Sequence, residues 1–255
     1  MLKNIKIGTK LVTVGALLIA IPLAVVAFLS VQRASLAVMS IESEQLARAA
    51  RLIATSINNV FLEEQKVALN NATDNSIIET AVAVHGSAAN APKGKSAPSA
   101  ADLIAVSTAR IKATTGLGKD YESIMVVGTD GVAFASTDPA YVGGNFSDRA
   151  YIHEALAGKA TAGTAVISKV TNKPVVPVAA PIKDGRNVVG AYVLVLDAQF
   201  LNDLVTGEKV GKTGYAYVVD NTGLVIAHPV AANLFKTNLA EMDGTKAFTK
   251  RMIAG

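Results

Sequence analysis

From Leu11 to Val31 the chain runs for 21 residues, LVTVGALLIAIPLAVVAFLSV, without a charged side chain. No other stretch limits the fold as much. At roughly 1.5 Å per residue, a helix of this length covers about 30 Å, the hydrocarbon thickness of a bilayer. Pro22 lies inside it, and spanning helices tolerate proline. Lys3, Lys6 and Lys10 precede it, and such a positive flank stays in the cytoplasm. The chain therefore reads as residues 1–10 cytoplasmic, a transmembrane helix over 11–31, and everything after about residue 33 outside. A cleaved signal peptide has the same polarity. Its apolar core is usually 7–15 residues, however, and no A-x-A site closes this run.

Residues 34–82 read as one long stalk helix. Leu36, Ile41, Leu46, Leu52, Ile53, Ile57, Val60, Phe61 and Val67 fall close to helical spacing, with no Pro or Gly among them. Such a helix is about 70 Å long, more than a small domain covers, so pairing with a second copy into a homodimer is expected. A break near Asn58-Asn59 or Asn70-Asn71 is the alternative. His85 to Ala100 (HGSAANAPKGKSAPSA) reads as a surface loop, Ala101 to Thr114 as a helix, and Gly116 and Gly118 as its end.

From Tyr121 the pattern changes to strands. Ser123–Val127 and Val132–Ser136 flank an Asp130-Gly131 turn, a hairpin signal. A short helix over about Asp148–Ala157 closes at Gly158. Strand-like runs follow over Gly163–Val170, Val175–Ile182 and Val188–Leu196. The fold class is α+β, with an antiparallel sheet of about five strands flanked by helices. A second copy begins 92 residues later. MVVGTDGVAFA (Met125–Ala135) aligns with YVVDNTGLVIA (Tyr217–Ala227), sharing two valines, the turn glycine and the final alanine. It continues into a helix-like segment over Asp243–Ile253 and lacks the later strands of the first copy, so it reads as incomplete.

Several functions are disfavoured. The chain has no cysteine and a net charge of +4, partly from the N-terminal lysines. Disulfides, thiolate metal sites, a Cys nucleophile and a basic nucleic-acid face are not expected. His153-Glu154 begins like HExxH, but Ala157 stands where the second histidine is needed. Gly207 to Thr213 spaces its glycines one residue short of a phosphate loop. No catalysis, metal or cofactor is expected.

The chemistry centres on Asp148-Arg149-Ala150-Tyr151. An arginine fork binds a carboxylate through two parallel hydrogen bonds, which lysine cannot reproduce. Asp197, at the end of the last strand, could take an ammonium group, and Tyr151 could supply a wall and a hydroxyl. Equally, Arg149 could pair with Asp148 or Asp197 and staple the helix to the sheet.

These residues also carry a family resemblance. Ser147–Tyr151, Ala155–Lys159, Ser168-Lys169-Val170, Ala179–Asp184 and Val189-Gly190 resemble the distal half of a double Cache (dCache) domain. Gly211–Asp220, with Gly223 and His228-Pro229, is similar to its proximal half, and Lys6–Leu11 is like the start of many chemoreceptors. The resemblance implies a sensor region of a bacterial methyl-accepting chemotaxis protein in the inner membrane. It would have a membrane-distal module over 83–200, an incomplete membrane-proximal module over 201–255, a dimer, and a small-molecule ligand in the distal module. The same sensor on a histidine kinase or a diguanylate cyclase, or a ligand-free structural module, is the alternative. In amino-acid-binding members Arg149 would match the carboxylate anchor and Asp197 the ammonium anchor. Tyr151 stands where a Trp is expected, Ile152 replaces the next Tyr, and Ile167-Ser168 occupy the place of a later Tyr. A carboxylate, an amine or an unusual amino acid is the expected ligand. Asp148, Tyr141 and Ser168 complete the candidate ligand-binding set.

Overall fold

The computed structural model describes residues 7–85, 98–115, 121–207, 209–210 and 214–254. Lys3 and Lys6, most of the 85–100 segment, Gly116 and Gly118, and Gly211-Lys212-Thr213 lie outside them. The chain divides into two units, Met1–Leu52 and Ile53–Gly255. Helix α1, Ile7–Ala72, passes through Pro22 without interruption and is long and apolar enough to cross a membrane by length and composition.

The helix expected over 34–82 is divided. α1 ends at Ala72 and α2 spans Asn75–His85. Of the two breaks considered, Asn58-Asn59 remains helical, and the chain turns just after Asn70-Asn71. There the carbonyls of Asn70 and Asn71 accept the Thr73 and Asp74 amides at 3.3 and 3.1 Å. Asp74 then starts α2, its Oδ1 accepting from the Ser76 amide (2.9 Å) and hydroxyl (2.6 Å). Short polar side chains that bond nearby backbone favour such caps over helix interiors. α3 (Ala100–Thr115) packs on α2 through a buried Thr80–Ser107 hydroxyl contact of 2.6 Å, and Arg110 Nε reaches Asp74 Oδ2 at 2.6 Å.

Six strands form an antiparallel sheet. β1 (Tyr121–Gly128), β2 (Ala133–Ser136), β3 (Thr161–Ala162), β5 (Pro174–Asp184) and β6 (Asn187–Asp197) lie in the order β2-β1-β6-β5-β3, and β4 (Val166–Ile167) also pairs with β5. Of the expected strand over 163–170 only Val166–Ile167 is a strand, and β3 precedes it. Between them Gly163 passes so close to β5 that a Cβ would meet Pro177 Cγ at 2.9 Å and Tyr151 Cδ1 at 3.2 Å.

The sheet is covered on both faces, which explains the near-continuous apolar run in β6. Tyr192, Leu194 and Leu196 pack against Ala68, Ile77 and Ile111 of the three helices. Ala191, Val193 and Val195 face Tyr151, Ile152 and Ala155 of α4 (Ala150–Leu156). Each fully buried Val, Leu or Ile among them contributes roughly 1.5–3 kcal/mol by burial.

The duplication read from the sequence is present in the backbone. α5 (Gln199–Thr206) leads to a two-stranded sheet, β7 (Lys209–Val210) with β8 (Gly214–Tyr215), and to a hairpin, β9 (Val218–Val219) with β10 (Val225–Ala227). α6 spans Lys246–Ala254. In the first hairpin Val126 pairs with Ala135 and Val127 with Ala133. In the second, Val218 pairs with Ala227 and Val219 with Val225, the same register moved by 92 residues. Gly131 and Gly223 both take φ above +80°, and both turns close with an amide-to-carbonyl bond, Gly131 to Gly128 and Gly223 to Asp220.

Candidate functional site

The loop before α4 is pinned to the first hairpin. The Phe146 amide donates to Gly131 O at 2.8 Å and the Gly143 amide to Ala133 O at 2.7 Å. Only glycine fits position 131, because a Cβ there would lie 2.5 Å from Ser147 Cβ at a φ of +81°. This anchoring sets Arg149 at the N-cap of α4 with extended backbone (φ −91°, ψ 127°), its carbonyl accepting the Ile152 amide at 3.0 Å.

Arg149, Tyr141, Tyr151 and Ser168 line one small, partly open recess of about 20 Å³, with Met125, Phe146 and Val195 among its apolar walls. That is about the room of one water molecule, well below the roughly 300–1,000 Å³ of small-molecule sites. The recess lies over the pocket-facing side of β1, β5 and β6, beneath the start of α4.

Asp148 stands beside it, exposed, and is taken by a lysine. Lys169 Nζ donates to Asp148 Oδ1 at 2.7 Å and to Asn145 O at 3.3 Å, and sits 5.9 Å from the centre of the Phe146 ring. That hydrogen bond holds the Asp148 carboxyl below the usual range. Arg149 Nε is left with a 4.0 Å contact to Asp148 Oδ2 and, among the described residues, makes no side-chain hydrogen bond. Its side chain is only 23% exposed. The staple between Arg149 and Asp197 is likewise not formed among the described residues.

Tyr151 is buried, which pushes its phenol up to about 12. Burial first, and then a hydrogen bond to Glu122, push the Tyr141 phenol up as well. Tyr141 Oη donates to Glu122 Oε1 and meets Ser168 Oγ at 2.8 Å. Ser168 Oγ in turn accepts the Val170 and Thr171 amides, both at 3.3 Å.

Asp197 is not among the residues lining the recess. It follows Val195 on the same face of β6, and its Oδ1 accepts the Gln199 amide at 2.8 Å, capping the entry to α5. Sequence reasoning passed over Lys169 and Glu122. Lys169 was visible as the residue after Ser168. Glu122 was visible as a lone acid at the head of an apolar strand. The segment after α5 holds a different arrangement: Tyr215 lies edge-on to buried His228 at 4.9 Å, and His228 Nδ1 accepts the Val230 amide at 2.8 Å. Among the described residues no cluster of three or more His, Asp or Glu side chains is placed to hold a metal.

The Cache domain family (dCache) matches residues 36–254. No curated protein matches the chain. Solved structures share the fold at low identity. The sensor domain of the V. cholerae histidine kinase DctB superposes with a TM-score of 0.63 at 14% identity, covering 84% of this chain and 76% of its own. The ligand-binding domain of the Pseudomonas aeruginosa PAO1 amino-acid chemoreceptor PctC, in complex with GABA, gives 0.55 at 17% identity, over 78% and 80%. That of the Pseudomonas fluorescens chemoreceptor CtaA, in complex with L-serine, gives 0.52 at 18%, over 75% and 73%.

Proposed function

Because this chain belongs to the Cache domain family, we propose that it is the extracytoplasmic ligand-sensing region of a transmembrane receptor, and that the recess beneath α4 binds a small carboxylate-bearing metabolite. The apolar start of α1 anchors it in a bacterial inner membrane. The observation that carries the ligand class is the half-buried Arg149 guanidinium, which lines the recess while Lys169 takes the carboxylate beside it. A fork whose ion contact with Asp148 is long, at 4.0 Å, keeps its donors for bidentate carboxylate binding. Tyr151, Tyr141 and Ser168 supply the remaining walls and hydroxyls.

The two chemoreceptor domains of similar fold are in complex with amino acids, which carry such a carboxylate. The receptor acts as a homodimer, paired along α1 where Leu36, Met39 and Leu46 are exposed at coiled-coil spacing. A methyl-accepting chemotaxis output is the first reading. A histidine kinase output is the second, favoured by the fold likeness to a kinase sensor domain. The ligand acts by favouring one of two arrangements of the stalk.

The test is a thermal-shift screen of the full chain in detergent against amino acids, amines and small organic acids. A ligand at a hundred times its Kd stabilises by about 2.7 kcal/mol, a rise of about 5–10 °C for a domain of this size. Carboxylate-bearing compounds are expected to give such rises. Hits confined to amines without a carboxylate, or none at all, would contradict the proposal.

A further inference from the structure

The recess has room for about one water molecule. A ligand therefore enters only by displacing a wall, and Tyr141 is one of the walls. The Tyr141 hydroxyl donates to Glu122 Oε1, while Glu122 Oε2 is buried without a hydrogen-bond partner among the described residues. The next residue back along β1, Tyr121, reaches the other face of the sheet. It packs against the helix-side cluster of Ala68, Ile77 and Leu196, whereas Tyr141 belongs to the recess-side cluster with Ile152 and Val193. The Tyr121 hydroxyl donates to Glu64 Oε2 of α1 at 2.7 Å, and Glu64 is fully buried. Burial first, and then this bond, push the Tyr121 phenol up, so it remains a donor. A buried carboxylate persists only where it is hydrogen-bonded. Moving Tyr121 therefore either carries that turn of α1 with it or takes a donor from Glu64.

Tyr121 and Glu122 share one planar peptide, and β1 has slack there. Tyr121 pairs with Leu196 and Ser123 with Val195, so Glu122 is an extra residue without a partner on β6. Such a bulge leaves the ladder locally unclamped. Resting on the reading of the recess as the ligand site, we infer that Tyr141, Glu122, Tyr121 and Glu64 couple the recess to the stalk. A ligand carboxylate that draws the Tyr141 proton into the recess takes it from Glu122. The bulged step of β1 then shifts, and the Tyr121–Glu64 bond passes the shift to α1. Glu122 and Tyr121 do not line the recess. They are positioning residues that act through Tyr141 on one side and Glu64 on the other.

Coupling between two places is established by energies, not by contiguity, and hydrogen exchange of the full chain in detergent, with no ligand added, measures it. Tyr141→Phe keeps the ring and withdraws the same proton from Glu122. Protection of the α1 amides around Glu64, taken relative to those of β6, is expected to fall about fivefold or more. In a Tyr121→Phe background the same substitution is expected to change that ratio by less than about twofold, as for independent sites. Glu122→Gln weakens the bond to Tyr141 from its other end. It is expected to act in the same direction, and it decides the matter if Tyr141→Phe fails to fold. Glu64→Gln replaces Tyr121→Phe as the background on the same ground, and there the effect should shrink. A ratio that stays within about twofold of wild type in Tyr141→Phe overturns the inference. So does a fall of equal size in the wild-type and Tyr121→Phe backgrounds, which would route the coupling elsewhere. Failure of the underlying reading shows separately, as a recess that takes no carboxylate in the thermal-shift screen, and leaves the exchange result unaffected.

Discussion

Replacing Arg149 by alanine is expected to remove ligand binding while leaving the fold intact. The guanidinium is 23% exposed and lines the recess, and its one ion contact, to Asp148, is long at 4.0 Å. Loss of that contact costs at most about 1 kcal/mol, as for exposed ion pairs generally. Loss of a partner to a desolvated carboxylate costs about 2–5 kcal/mol, so the Kd should rise by about thirtyfold to several thousandfold. Arg149→Lys keeps the charge and loses the two-pronged geometry, and should fall between wild type and alanine. Titration of each variant with the strongest carboxylate from the screen, alongside its melting temperature, checks both halves. Weakened binding accompanied by an equal loss of stability would instead mean that Arg149 serves the fold.

Ile152→Ala should have the largest effect on stability. Ile152 is fully buried on the sheet-facing side of α4, among Tyr141, Tyr151 and Val193. Truncating a buried isoleucine removes its transfer free energy and leaves a cavity, about 2–5 kcal/mol in all. Against a total of roughly 5–15 kcal/mol for a domain, that is a large share, equivalent to a fall of about 4–20 °C in melting temperature. The Ile152 amide donates to the Arg149 carbonyl, so loosening α4 should also weaken binding. Leu201→Ala provides the contrast. Leu201 is equally buried but belongs to the cluster around α5 and the second hairpin, so it should destabilise without a separate effect on the recess. Chemical denaturation of the three proteins measures this. A cost for Ile152→Ala below about 1 kcal/mol would contradict the packing described.

Much of the fold was legible because local rules and tertiary structure agree in it. The apolar run of β6, the Asp-Gly hairpin and the 92-residue repeat each report a backbone pattern that neighbouring elements reinforce. The stalk was harder. Helical spacing continues through Asn70 to Asp74, and only the capping bonds of Asp74 decide that the chain turns there. The strand was read over 163–170, missing β3 and overextending β4, because the close approach of Gly163 to Tyr151 and Pro177 depends on residues distant in sequence.

The site divides in the same way. Arg149 and Tyr151 reach the recess together because they sit at one turn of chain, and Tyr141 lies just before that turn. Lys169 and Glu122 acquire their roles only from partners about twenty residues away, Asp148 and Tyr141. Sequence spacing carries no trace of those pairings. Asp197 was read toward the ligand from its place at the end of the last strand, and its Oδ1 accepts the local Gln199 amide.

The most direct test is a crystal structure of the protein with the strongest carboxylate from the screen bound. The expected result is density in the recess beneath α4, with both carboxylate oxygens on the Arg149 guanidinium. Density elsewhere, such as beside Tyr215 and His228, with the recess unchanged, would contradict the proposed site.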